Sequence, residues 1–151
     1  MNTYFKAIDD IQASLIAEPL INTVTQGDIY SVDLDKITIF PLAHINIQSI
    51  DIQPKFISLS VSILFADIVD FNKAAPSSDI RGNNNELDVL NTMLNVAARL
   101  QALIGKTAGY KDTYELASSF SCTPFLERFE NNLGGMACDF TINVYNTMTK
   151  C

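Results

Sequence analysis

The stretch "FISLSVSILFADIVDF", Phe56 to Phe71, decides the fold. Ile57, Leu59, Val61, Ile63 and Phe65 alternate with Ser58, Ser60 and Ser62, a period of two that sets apolar side chains on one strand face and hydroxyls on the other. One face therefore belongs to a core and the other is polar. Upstream, Pro54-Lys55 reads as a hairpin connection to a second long strand over Ala43 to Ile52, which makes the two antiparallel neighbours. Alternation in that strand is imperfect: Ile45 and Ile47 share one face and Ile50 and Ile52 the other, which predicts a bulge near Gln48-Ser49. A third strand is as well patterned as the first, with Met136, Cys138, Phe140, Ile142 and Val144 alternating with Asp139, Thr141 and Asn143.

Helical spacing surrounds these strands. Phe5, Ile8, Ile11, Leu15 and Ile16 predict a helix over Thr3 to Ala17, with Asn2 or Thr3 as cap and Glu18-Pro19 as its end. A second helix is predicted from Asn85 to Ile104, stopped by Gly105. It carries one apolar stripe of Leu87, Leu90, Leu94, Ala97 and Ile104 and another of Val89, Met93, Val96, Leu100 and Leu103. A helix apolar over so much of its circumference is covered on more than one side. Either it lies between the sheet and the first helix, or one stripe faces another subunit.

The remaining segments are less regular. Turn signals at Asn22 and Gln26-Gly27-Asp28 precede a β-branched and aromatic run through Phe40, read as a first strand with a turn at Asp33 to Lys36. A loop is expected over Asn72 to Asn85 and a linker over Lys106 to Asp112. A strand is expected from Tyr114 to Thr123, ending at Pro124, and the Gly134-Gly135 pair marks a turn before the last strand. The order predicts a single α+β domain: a mixed or mostly antiparallel sheet of about four to six strands, with the N-terminal helix and one long central helix on one face.

Composition bounds the function. The 151 residues suffice for a core without disulfide or metal staples. Apolar runs are interrupted well before the ~18 to 20 residues of a membrane-spanning helix, and no secretory signal opens the chain, so a soluble protein with no membrane partner is expected. Cys122, Cys138 and Cys151 are odd in number and far apart, which fits neither a disulfide framework nor a zinc site; reduced thiols are expected, with Cys138 in the core. A net charge of −7 argues against gripping duplex DNA, although a like-charged wall lets a polyanion slide past.

Chemistry-bearing constellations are sparse. His44, the single histidine, stands in "KITIFPLAHINI", Lys36 to Ile47, and an enzymatic or ligand-binding domain would have to use it or a cysteine. No nucleophile elbow accompanies it, and Asp28, Asp33 and Asp35 lack the glycine and final glutamate of a calcium loop. "GKTAG" at Gly105 lacks the upstream glycine of a phosphate cradle, and Glu127 and Glu130 read as a solvated face. The sequence predicts no cofactor, no metal and no catalytic residue, and favours binding or assembly. His44 is expected to be a hydrogen-bonding frame residue beside a bend anchored by Phe40 and Leu42.

Two segments, "TVTQGDIYSVDLDKITIFPLAHINI" (Thr23 to Ile47) and "PFLERFENNLGGMACDFTINV" (Pro124 to Val144), resemble small virion proteins of tailed bacteriophages, especially phages of Bacteroidetes hosts. The order of helices and strands around them is similar to the tail terminator, or tail completion, proteins of long-tailed phages. This resemblance implies a structural, non-enzymatic virion protein at the head-tail neck. It would form a homo-oligomeric ring, a hexamer in that family, that caps the tail tube, meets tube or sheath protein on one side and joins the head-tail connector or adaptor on the other. DNA would pass through without specific binding. Head-completion and adaptor proteins of the same neck are the competing reading. Ring subunits meet head to tail through two different patches. The expected contact residues are Val89, Met93, Val96 and Leu100 on the long helix, Asn83 and Asn84 in the loop, and Leu126, Glu127, Arg128, Phe129 and Glu130 in "FLERFE".

Overall fold

The computed structural model describes residues 3–27, 40–68, 86–111, 114–117, 119–128 and 133–145. Helix α1 (Thr3–Ile16) leads into strand β1 (Thr23–Gln26), followed by β2 (Leu42–Ile52), β3 (Phe56–Ile68), helix α2 (Glu86–Lys111), β4 (Tyr114–Leu116), β5 (Ser121–Arg128) and β6 (Leu133–Tyr145). The architecture is α+β with a mixed, mostly antiparallel six-stranded sheet. Its order is β1-β2-β3-β6-β4, with β5 also paired to β6.

The alternating serine strand is the middle of this sheet. β3 pairs antiparallel with β2 on one side and with β6 along its whole length on the other, from Phe56 opposite Tyr145 to Ile68 opposite Leu133. Leu59, Val61, Ile63 and Phe65 are fully buried, together with Cys138 and Ile142 across the β6 ladder. The Gln53 amide bonds to the Phe56 carbonyl at 2.9 Å and closes the hairpin at Pro54-Lys55. The expected bulge lies between Ile47 and Ser49. Its effect is the reverse of the one its pattern suggested: the extra residue returns Ile50 and Ile52 to the face shared by Ile45 and Ile47, opposite Leu59 and Ile57.

Both helices cover that apolar face. Ala7, Ile11 and Leu15 of α1 and Val89, Met93, Val96, Ala97, Leu100 and Ile104 of α2 join one cluster with the inward residues of β2, β3 and β6. Each large side chain so buried contributes about 1.5–3 kcal/mol. Arg99 on α2 reaches Glu18, just past α1, at 2.8 Å, linking the two helices at the margin of this layer. A smaller cluster of Phe40, Leu42, Ala66 and Leu133, with Ile68 and Phe125 against it, fills one end of the opposite face; among the described residues neither helix contributes to it. The rest of that face carries Ser58, Ser60, Ser62, Thr141 and Asn143, all half-buried, and Ser58 donates to the Asn143 side-chain oxygen at 2.8 Å.

Several boundaries differ from the pattern. β1 occupies Thr23–Gln26, where turn signals stood, and runs parallel to β2; the strand and turn expected further on fall mostly at residues 28–39, outside the described residues. Helix α2 passes Gly105 and continues to Lys111, absorbing most of the expected linker. The two glycines it crosses, Gly105 and Gly109, cost only about 1 kcal/mol each relative to alanine, which the buried stripe of the preceding turns offsets. The expected Tyr114–Thr123 strand is two strands. Four residues separate Leu116 from Ser121 where only two separate Ile142 from Asp139 on β6, so the ladder breaks and resumes. β5 then continues through Pro124, whose missing amide is tolerated on a strand that pairs only with β6 among the described strands. Gly134 and Gly135 lie inside β6, opposite Asp67 and Ala66, and make no turn. The expected Asn72–Asn85 loop lies outside the described residues.

Candidate functional site

Among the described residues, His44 is the buried polar side chain of the sheet, 3% exposed. Parallel pairing sets Thr25 of β1 level with it, and the Thr25 hydroxyl lies 2.7 Å from Nδ1. Nε2 lies 2.8 Å from the carbonyl oxygen of Gly27, which can only accept, so Nε2 carries a proton and donates. Gly27 in turn donates its amide to the Ile45 carbonyl at 3.1 Å and adopts a φ of 101°, a conformation that glycine takes without steric cost. The Pro41 carbonyl accepts from the amides of Asn22 and Thr23 at 2.9 and 3.2 Å, at the other end of β1. Both ring nitrogens are thus engaged within the chain. The imidazole pins a four-residue strand to its neighbour, the frame role its sequence setting predicts, with Phe40 and Leu42 anchored in the smaller cluster.

A shallow groove of about 290 Å³ crosses the polar face of the sheet, lined by Gln48, Ser60, Ser119, Ser121, Asp139, Phe140 and Thr141. Two irregularities position it. Gln48 is the bulged residue of β2, Ser119 lies in the break between β4 and β5, and Ser60 opposite Thr141 spans the row between them. Hydroxyls, an amide and one exposed carboxylate give this groove hydrogen-bonding capacity, and no cationic side chain is among its lining residues. Among the described residues no group of three or more His, Cys, Asp or Glu side chains is placed to hold a metal.

The long helix corrects the expected contact set. Val89, Met93, Val96 and Leu100 are 0 to 4% exposed and form the stripe that packs on the sheet, so they are core residues of the chain itself. The side chains α2 presents outward include Leu87, Leu94 and Leu103, which are 45 to 50% exposed. At the far end of β2, beyond the bulge, Ile50 is 49% and Ile52 76% exposed. Pattern alone could not separate the two stripes, because a helix so apolar offers two overlapping choices of inward face. Leu126, Glu127 and Arg128 end β5, with Arg128 opposite Leu133; their side chains, and residues Asn83, Asn84, Phe129 and Glu130, lie outside those described.

Cys122 and Cys138 come together although they are distant in sequence. They stand opposite each other on β5 and β6, both as free thiols, with Cys138 buried and Cys122 half-buried. Phe120 and Phe140 stack beside them, ring centroids 4.2 Å apart and planes within 9° of parallel. Compared with known proteins, the sequence matches no family model and no curated protein. Among the described residues no helix is long and apolar enough to cross a membrane.

Proposed function

We propose that this chain is a structural protein of a tailed-phage virion, a tail terminator or completion protein. In this reading it assembles as a hexameric ring that caps the tail tube and joins it to the head-tail connector. The observation that carries the reading is the pair of segments resembling such proteins, together with an element order like that of the tail terminators. The first segment contains β1 and the start of β2, and the second contains most of β5 and β6.

The distribution of exposed apolar side chains supports assembly. A head-to-tail ring needs two unlike patches on each subunit. Ile50 and Ile52 at the end of β2 and Leu87 and Leu94 on α2 are large apolar groups left in water on two different elements. The net charge of −7 suits a passage through which DNA moves without being held. His44 fits the same reading, because its ring is committed to holding β1.

Native mass spectrometry and negative-stain microscopy of the purified chain test this directly. Closed rings are the expected result, and labelled protein should locate to the neck of the virion between connector and tube. A strictly monomeric chain that is also missing from the neck overturns the reading. Rings placed against the head portal instead of the tube would assign the chain to the head-completion or adaptor layer.

A further inference from the structure

We propose that Cys122 and Cys138 form a dithiol modification site that exchanges with low-molecular-weight disulfides and closes into a cross-strand disulfide between β5 and β6. The geometry is set by register. Cys122 is the direct antiparallel partner of Cys138, so the two side chains project from the same face of the sheet. Directly opposed residues in an antiparallel ladder have Cα atoms about 4.5–5.5 Å apart, inside the roughly 4.4–6.8 Å that disulfides span. Their Cβ atoms stand about 4.5–5.5 Å apart, slightly wider than the roughly 3.5–4.5 Å of a relaxed disulfide.

Burial assigns the order of events. Cys122 is half-buried on the outer strand, whereas Cys138 is fully buried in the main cluster, and that burial, reinforced by Cys122, pushes its thiol up. The Cys122 thiolate attacks one sulfur of the external disulfide, forming a mixed disulfide and releasing the first small thiol. Cys138 then attacks the Cys122 sulfur, and its proton passes to the departing small thiolate, which leaves as the second small thiol. Two electrons pass from the dithiol to the external disulfide, which ends as two thiols. The stacked Phe120 and Phe140 hold the strands in register next to the reacting pair. Lone thiols would stop at the mixed disulfide; a paired thiol completes the exchange.

The full chain carrying Cys151→Ser, incubated folded with glutathione disulfide, tests the site. Its intact mass should fall by two hydrogen atoms with no glutathione retained. Trypsin, which cuts after Arg128, should release the Cys122 and Cys138 peptides joined until dithiothreitol is added. Adding Cys138→Ala should trap glutathione on Cys122, and adding Cys122→Ala should abolish uptake. The proposal is overturned by a stable glutathione adduct in the chain that keeps both cysteines, or by no reaction in the folded chain under conditions where the urea-unfolded chain reacts.

Discussion

The backbone of Gly135 in β6 lies so close to the carbonyl of Phe65 in β3 that a side-chain carbon at Gly135 would overlap the Phe65 oxygen. A φ of 157° at Gly135 adds to the difficulty. Because the obstacle is backbone in the centre of the sheet, no side chain can swing aside. Gly135→Ala should therefore cost at least the roughly 1–3 kcal/mol of an overpacked core. Gly27 provides the comparison: it has a φ of 101° and open space where a Cβ would go, so Gly27→Ala should lose only the left-handed penalty of about 1–2 kcal/mol. Urea denaturation of both variants checks this, and equal losses would sink the steric explanation.

The His44 clamp makes a local prediction. Replacing His44 with alanine leaves the Thr25 hydroxyl and the Gly27 carbonyl without their ring partner, a loss of about 1–3 kcal/mol. The damage should concentrate in β1, a four-residue strand that pairs only with β2 among the described strands and whose ladder this ring reinforces. Amide hydrogen exchange should accelerate at Thr23 to Gln26 while β3 and β6 stay protected. Exchange in β1 unchanged by His44→Ala would refute the clamp.

Asp67 gives stability a pH dependence. It is partly buried, and desolvation raises its carboxyl above the ordinary 3.8 despite the hydrogen bond its Oδ1 accepts from the Ile68 amide at 2.8 Å. An acid whose folded pKa exceeds its unfolded value holds its proton more tightly when folded. Its contribution therefore favours folding at low pH and is lost as pH rises from about 3.8 through the higher folded value. Asp67→Asn keeps an acceptor oxygen and removes the titration. The variant should match or exceed the parent in stability at pH 7 and lose this part of the pH slope in denaturant titrations; an unchanged slope would show that Asp67 does not titrate differently on folding.

Strands with strict alternation were legible because burial on one face leaves a period of two in the residues themselves, as in Ile57 to Phe65 and Met136 to Val144. The bulge was legible too, since the isoleucine pattern changes phase there. β1 was not, because four residues are too few to carry a period and its parallel pairing depends on a distant strand. The reach of α2 past Gly105 was hidden by a local stop signal that the rest of the helix overrides. The Cys122–Cys138 pair was invisible for a different reason: register between β5 and β6 creates it, and sequence separation conceals register.

The two apolar faces of α2 should respond oppositely to substitution. Met93 is fully buried, so Met93→Ala should lower stability by about 2–5 kcal/mol through lost burial and a cavity. Leu94, beside it in sequence, is 45% exposed, and Ile52 is 76% exposed at the end of β2. Leu94→Lys and Ile52→Lys should change the stability of the isolated chain by no more than about 0.5 kcal/mol. If these residues seal head-to-tail contacts, each lysine places a charge in an apolar junction and should shift the ring toward monomers in native mass spectrometry. A mixture of the two variants cannot restore assembly to the parent level, since a mixed ring still contains a junction carrying lysine. Rings that persist undiminished with both lysines in one chain would remove these two patches from the interface, while Met93→Ala, measured by urea denaturation, independently reports whether the inward stripe is the one that holds the core.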